Sequence, residues 1–233
     1  MIRGLLVALF LPGYTILAGL VGCGLARLSG SPAPLYALGR FGVKVTLLLA
    51  GTRIEVQGRE HLRDHRNTVI VANHVSHLDA PVLLQALGID FKAVAKKEIF
   101  HFPVLGSVLR LAGFIEVDRA DRTQATRAIA RAVAALQAGD CFLIFPEGTR
   151  SRTGELGPFK KGGFVVAMDA GSRILPLVLR GTHELMPRGG FRIRPGTVSV
   201  RVLDPIAASS YSYEDRDALI AEVRGRIVAA LAG

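Results

Sequence analysis

Residues 68–79 read Thr-Val-Ile-Val-Ala-Asn-His-Val-Ser-His-Leu-Asp, an apolar run followed by a polar run. The first five residues are mostly β-branched, which is typical of a buried strand. Asp79-Ala80-Pro81 is typical of a helix start, with Asp79 as the cap and Pro81 in the first turn. The stretch therefore predicts a strand, a polar turn and a helix, as in an α/β fold.

The polar turn contains an imidazole at His74 and a carboxylate at Asp79, five residues apart. On a straight helix these side chains would lie about 140° apart, so they pair only if the chain turns between them. In the predicted turn, Asp79 can accept a hydrogen bond from one ring nitrogen and leave the other as a base. His77 leaves an alternative open, because His74, His77 and Asp79 are possible metal ligands. No third-ligand motif stands out, so the sequence favours His77 at the rim of a metal-free site.

A second polar run follows the apolar residues 141–144, and it reads Phe145-Pro146-Glu147-Gly148-Thr149-Arg150-Ser151. Arg150 is suited to a bidentate grip on phosphate. Glu147 can orient Arg150 or a substrate hydroxyl group. A base and an anion clamp at the ends of two strands indicate chemistry on a phosphorylated molecule that carries a hydroxyl group.

Two further cations are candidates for the same site. Arg119 follows the predicted strand 114–117 and can supply a second positive charge, or it can pair with Asp118 or Asp121. Lys96 can stabilise developing negative charge, or it can be an ordinary surface lysine.

Composition limits the class of protein. The 233 residues allow one core with an anchor, half of them are hydrophobic, and the formal charge is +10. An apolar and basic chain fits an anionic membrane surface. A nucleic-acid partner is not expected, since the chain has no Trp and no recognisable nucleic-acid motif. Two cysteines do not indicate a disulfide framework.

The amino-terminal part is the most apolar. Residues 4–26 carry no charge, and as a helix they are about 34 Å long, enough to cross a bilayer. Pro12-Gly13 can divide this run into two shorter helices. Residues 35–51 are also apolar, so a hairpin that dips into one leaflet is the alternative to a span.

This pattern predicts membrane-anchoring helices over residues 1–51 and an α/β domain over residues 52–233. A cleaved signal peptide is a rival, because residues 20–23 are similar to a lipoprotein processing site.

Strand and helix patterns alternate beyond residue 52. A helix over residues 123–139 has Thr123 as its cap, and a last helix begins near Ser212, with Asp215 at the spacing of a capping box. Pro176 predicts a bend, because proline is confined to strand edges or bulges. The predicted strands are 54–56, 69–72, 92–95, 114–117, 142–145, 175–179 and 198–202.

Four blocks in these segments resemble the PlsC-type glycerolipid acyltransferases. His74-x-x-x-x-Asp79 resembles the catalytic block of that family, and residues 145–150 resemble its phosphate block. Residues 113–119 and 174–177 are similar to the remaining two blocks. The four blocks occur in the family's order over roughly residues 70–180.

The resemblance implies an α/β fold with a mixed central sheet flanked by helices and an amino-terminal membrane-embedded helical element. It implies an enzyme of phospholipid biosynthesis, a 1-acylglycerol-3-phosphate O-acyltransferase. Such an enzyme moves a fatty acyl group from acyl-CoA or acyl carrier protein to the sn-2 hydroxyl of lysophosphatidic acid, giving phosphatidic acid. No metal or cofactor is implied, and the expected location is the cytoplasmic face of the cell membrane, in contact with anionic lipids.

The resemblance also assigns roles to individual residues. His74 and Asp79 are the expected catalytic residues, and Lys96 is a possible charge stabiliser. The expected phosphate-binding residues are Arg150, Arg119, Glu147, Gly148 and Thr149. Three alternatives remain: an enzyme for another lysolipid, a non-catalytic membrane-binding module, and an esterase. No G-x-S-x-G motif is present, so a serine nucleophile is not expected.

Overall fold

The computed structural model describes residues 2–118, 121–190 and 192–233. The strands are β1 (Thr52–Gln57), β2 (Thr68–Ala72), β3 (Val94–Lys96), β4 (Ile115–Val117), β5 (Cys141–Ile144), β6 (Arg173–Arg180), β7 (Gly196–Val202) and β8 (Ile206–Ala207). The helices are α1 (Ile2–Ser29), α2 (Ala33–Ala50), α3 (Asp79–Leu87), α4 (Lys97–Phe100), α5 (Pro103–Leu111), α6 (Arg122–Gln137), α7 (Gly162–Asp169), α8 (Thr182–Leu185) and α9 (Arg216–Ala232). Two short 3₁₀ turns lie at Arg59–Leu62 and Ala208–Ser210.

The main sheet has the strand order β1-β7-β6-β2-β5, and β8 also pairs with β6. β2 is parallel to both β5 and β6, whereas β7 runs antiparallel to β6. All five residues of β2 are buried, because layers cover both faces of the sheet. The mixed central sheet flanked by helices is therefore confirmed.

Successive residues of β2 serve different cores. Ile70 packs with the core that contains α3 and the amino-terminal helices, and Val69 packs with the core that contains α6, α7 and α9. The alternation follows from the two-residue period of a strand. One face of the sheet therefore carries the amino-terminal helices, and the other carries α6, α7 and α9.

The seven predicted strands are present with shifted ends, and α3 begins at Asp79 as predicted, but the other two predicted helix starts need correction. Asp121, not Thr123, caps α6, and its carboxylate accepts the backbone N–H groups of Thr123 and Gln124. The predicted contact between Ser212 and Asp215 exists, yet α9 begins only at Arg216. The capping-box spacing here closes a turn that precedes the helix.

The bend predicted at Pro176 is wrong. Pro176 is buried within the continuous strand β6, and its carbonyl accepts the Leu203 N–H at 2.9 Å. In a strand, the N–H and the carbonyl of one residue point to the same side, so the nitrogen of Pro176 faces the side of β6 on which β8 and β7 lie. Pro176 lies between the residues that pair with β8 and those that pair with β7. No ladder donor is needed in that gap, so the strand accommodates the proline.

The break predicted at Pro12 is also absent, because α1 is continuous through Pro12. A proline removes one backbone hydrogen bond, and α1 packs against both α2 and α5. By length and composition, α1 and α2 are each apolar enough to cross a membrane.

The helical pair is tied to the α/β part near both of its ends. Near the connection between the helices, the Tyr36 hydroxyl donates to the carbonyls of Phe91 (2.9 Å) and Ala112 (3.2 Å). At the other end, the Gly196 N–H donates to the Gly51 carbonyl at 3.2 Å. The pair of helices therefore lies along the α/β part and does not project away from it.

Candidate active site

The candidate site lies at one edge of the main sheet. β2 and β5 are parallel neighbours, so their carboxyl ends meet at the same edge. His74 follows β2, and the segment from Glu147 to Arg150 follows β5. The topology thus brings together two motifs that are more than 70 residues apart in the chain.

His74 and Asp79 form the hydrogen bond that the sequence predicts. The Nδ1 atom of His74 lies 2.7 Å from the Oδ2 atom of Asp79, whose side chain is fully buried. The same oxygen accepts the backbone N–H groups of Val75 and Ser76, each at 2.8 Å. Asp79 therefore orders the turn before α3 instead of capping that helix.

This pairing fixes the tautomer of the His74 ring. A carboxylate acceptor requires the proton on Nδ1, which leaves Nε2 as an acceptor. The ring stacks on Phe145 with 4.0 Å between centroids, and 21% of the side chain is exposed. His74 is therefore an oriented and accessible base.

The second polar run, residues 145–151, also holds the backbone of His74. The His74 N–H donates to the Oε1 atom of Glu147 at 2.7 Å, and the His74 carbonyl accepts the Ser151 N–H at 2.8 Å. Four contacts, two from the ring and two from the backbone, thus fix the position of one histidine.

Glu147 needs a corrected assignment. It is buried, and its second oxygen accepts the Gly157 N–H at 2.8 Å. Both oxygens face backbone donors, and Glu147 forms no ion pair with Arg150 among the described residues, so the predicted contact with Arg150 is absent. It joins the end of β2 to the segment around Gly157 and so positions His74.

Gly148 and Thr149 form the turn before Arg150. Gly148 has φ +70°, a left-handed conformation that favours glycine. A Cβ atom there would also lie 2.9 Å from the Nζ atom of Lys160. Thr149 is exposed, so its hydroxyl group is available to a ligand.

Arg150 lies in the site with an unused donor. Its Nη1 atom is buried and has no hydrogen-bond partner within the part of the chain that the structure describes. Burial, followed by the charge of Arg188, lowers the pKa of the guanidinium, and Asp79 opposes that change. The Arg188 Nη1 atom donates to the Arg150 carbonyl at 2.8 Å.

Neither Arg150 nor Arg188 forms an ion pair with any residue in the described ranges 2–118, 121–190 and 192–233. Two neighbouring cations without a carboxylate partner are an arrangement that binds an anion. Sequence reasoning missed Arg188, whose only signal was its membership of an arginine-rich segment.

The other candidates are less closely associated with His74. His77 is exposed, and partial desolvation followed by the charges of Arg150 and His74 lowers its pKa. Lys96 is exposed at the end of β3, and Arg119 lies outside the described residues. Among the described residues, no cluster of three His, Cys, Asp or Glu side chains could hold a metal ion.

Comparisons with known proteins agree with this geometry. The model of the Acyltransferase family matches residues 53–180, a range that contains both motifs. A 1-acyl-sn-glycerol-3-phosphate acyltransferase of Limnanthes douglasii is 36% identical over 174 residues, which are 74% of this chain and 61% of the relative. The protein of the same name from Borreliella burgdorferi is 30% identical over 193 residues, 83% of this chain and 77% of the relative.

A solved structure shares the fold along nearly the whole chain. It is the 1-acyl-sn-glycerophosphate (LPA) acyltransferase PlsC of Thermotoga maritima, with a TM-score of 0.82 and 26% identity. The match covers 98% of this chain and 96% of that one. The first plant relatives are longer, and this chain spans about three fifths of their length. The family match over more than half of the chain shows that it belongs to the Acyltransferase family.

Proposed function

We propose that this chain is a 1-acyl-sn-glycerol-3-phosphate acyltransferase. It transfers a fatty acyl group from the thioester of coenzyme A or acyl carrier protein to the sn-2 hydroxyl of lysophosphatidic acid. The products are phosphatidic acid and a free thiol. The observation that carries the proposal is an oriented imidazole, His74, beside two arginines that form no ion pair with an acidic residue in the described part of the chain. The names of the relatives support the same reaction.

His74 starts the reaction as a general base. Its Nε2 atom takes the proton of the sn-2 hydroxyl, and the oxygen attacks the thioester carbonyl. Buried Asp79 stabilises the imidazolium that forms. The tetrahedral intermediate then collapses, the C–S bond breaks, and the imidazolium returns the proton to the departing sulfur.

The transfer proceeds directly and does not pass through an acyl-enzyme. Both cysteines, Cys23 and Cys141, are buried, and burial raises the pKa of the Cys141 thiol to about 12. A thiol in that environment is not a nucleophile at neutral pH. Direct attack by the acceptor oxygen needs only a base and a positioned thioester.

The acceptor phosphate lies between the cations of the site. Arg150 supplies its buried, unused Nη1 donor, and Arg188 adds a second positive charge. The Gly148–Thr149 turn adds an exposed hydroxyl group. Lys96 and Arg119 remain candidates for stabilising the oxyanion and the phosphate, and Glu147 acts by positioning His74.

Acceptor preference tests the proposed function. Purified protein is expected to acylate lysophosphatidic acid with a kcat/KM at least about tenfold higher than for monoacylglycerol, because the phosphate adds a charge-assisted contact worth about 1.5–3 kcal/mol. Phosphatidic acid is measured by mass spectrometry, with coenzyme A and carrier-protein donors run in parallel. Equal rates for both acceptors would favour another lysolipid as substrate, and thiol release without an acceptor would favour an esterase.

The location of the protein follows from the helical pair. We propose that residues 1–51 lie in the plane of one membrane leaflet and that residues 52–233 form the catalytic domain in the cytoplasm. The contacts of the pair with the α/β part near both ends support an orientation in the membrane plane over a perpendicular span. The face turned away from the domain exposes Leu5, Leu9, Leu17, Leu20, Leu28, Phe41 and Leu48.

Charged residues on that face should release the protein from membranes. Each buried leucine contributes about 1.5–3 kcal/mol, so Leu17→Glu/Leu20→Glu is expected to weaken vesicle binding by a hundredfold or more. Co-sedimentation with vesicles measures the effect. Tyr213→Glu/Val228→Glu, at exposed apolar positions on another part of the surface, is the matched control. Equal binding by both double variants would rule out this face as the membrane contact.

A further inference from the structure

A cavity of about 650 Å³ lies between the start of α1 and residues of the segments 187–190 and 192–195. Arg3, Arg192 and Arg194 line it, together with apolar Ile2, Ile193 and Pro195. His74, Asp79 and Arg150 do not line it, whereas Pro187 and Gly190, which flank Arg188 in the chain, do. Three guanidinium groups therefore surround one partly apolar hollow.

Two glycines leave room for the arginine side chains. The Arg192 Nε atom lies 3.3 Å from where a Cβ atom of Gly4 would be, so the side chain lies against α1. The guanidinium of Arg3 occupies the space where a Cβ atom of Gly51 would lie. A larger residue at Gly51 would displace Arg3, and one at Gly4 would press on Arg192, so both glycines accommodate the arginines at the cavity.

The three arginines form no hydrogen bonds or ion pairs through their side chains within residues 2–118, 121–190 and 192–233. Other surface cations of this protein do have carboxylate partners, such as Lys161 with Asp217 and Arg226 with Glu222. Three like charges around one hollow repel one another, and a bound anion relieves that repulsion. Phosphate oxygens match the guanidinium donors in geometry.

The surroundings of the cavity indicate which kind of molecule carries the phosphate group. Ile2, Leu5, Leu6 and Leu9 are exposed on the first turns of α1, directly beside the arginines. A soluble phosphate compound would gain nothing from these leucines, whereas a membrane lipid presents a charged headgroup and acyl chains together. The combination of a cationic hollow and an apolar helix fits one lipid molecule.

We propose that this cavity binds the phosphate of an anionic membrane phospholipid, with the acyl chains of that lipid along the start of α1. The bound lipid is not the acyl acceptor, so the site goes beyond the proposed reaction. It fixes the amino-terminal end of the helical pair at the headgroup level and so sets the orientation of the protein on the membrane.

The test removes two of the charges. Arg192→Ala/Arg194→Ala is compared with wild type for binding to vesicles of phosphatidylcholine with and without phosphatidylglycerol. Each arginine near an anionic surface contributes about fivefold in binding, so the double variant should lose roughly 25-fold on anionic vesicles only. Native mass spectrometry should show one phosphatidylglycerol retained per wild-type chain and none per variant.

A matched control distinguishes a specific lipid site from the general effect of net charge on vesicle binding. Arg127→Ala/Arg131→Ala removes the same charge from exposed positions of α6, on the opposite face of the sheet. This variant should keep the retained lipid and bind anionic vesicles within about twofold of wild type. Equal losses of vesicle binding and of retained lipid in both variants would overturn the site. Displacement of the lipid by inorganic phosphate would show that the cavity binds free phosphate instead. Unchanged melting temperatures confirm that both variants are folded.

Discussion

The His74→Ala variant is expected to turn over about 10²–10⁴ times more slowly than wild type, the usual contribution of a general base. The variant lacks the imidazole that Asp79 orients and that keeps an accessible acceptor nitrogen. Its KM for lysophosphatidic acid should change little, because the proposal assigns the phosphate to Arg150 and Arg188 and not to His74. Steady-state kinetics with purified protein give both values.

His77→Ala is the matched control for this prediction. His77 lies three residues further along the same turn, is exposed, and has no carboxylate partner among the described residues. Its removal should reduce turnover by no more than a few-fold. An inactive His77→Ala variant beside an active His74→Ala variant would reverse the assignment of the base. Circular dichroism melts show whether either change has unfolded the protein.

The Arg150→Ala variant is expected to raise the KM for lysophosphatidic acid about ten- to a hundredfold, because a charge-assisted hydrogen bond contributes about 1.5–3 kcal/mol. The donor KM should stay nearly constant, since the proposal assigns Arg150 to the acceptor phosphate and not to the thioester. Arg150→Lys should recover only part of the loss, because a lysine cannot make the bidentate contact. Arg188→Ala should have a smaller effect of about two- to fivefold, as expected for one exposed cation.

The preference for a phosphorylated acceptor distinguishes a ligand-binding role of Arg150 from a structural role. Wild type should favour lysophosphatidic acid over monoacylglycerol, and Arg150→Ala should lose most of that preference. Arg127→Ala, which removes one exposed arginine of α6, should retain it. If Arg150→Ala is slow with both acceptors and keeps the full preference, Arg150 is structural and the phosphate site lies elsewhere.

Local sequence was sufficient to predict the pairing of His74 and Asp79. The pairing depends on a strand, a short turn and a helix start that all lie within residues 68–81. A five-residue spacing excludes a contact on a helix, so the turn was the only arrangement that could join the two side chains. The mixed central sheet was accessible only through the family resemblance, and the order of its strands was not predicted, because no local pattern specifies which strands pair.

Contacts between distant segments were not predictable in this way. Glu147 accepts backbone N–H groups from His74 and Gly157, and such donors occur at every residue without a sequence signal. Arg188 contacts Arg150 although the two residues lie 38 positions apart in the chain. Pro176 fits inside β6 because two different strands share one side of it, which only the assembled sheet reveals.

Thiol release in a single turnover tests the central claim most directly, namely that His74 activates the acceptor for direct attack on the thioester. Excess purified protein is mixed with acyl-CoA or acyl carrier protein donor, with and without lysophosphatidic acid, and quenched at short times. Free thiol and phosphatidic acid should appear together at equal rates and only when the acceptor is present. One equivalent of thiol released without acceptor, with the acyl group retained on the protein, would contradict direct transfer.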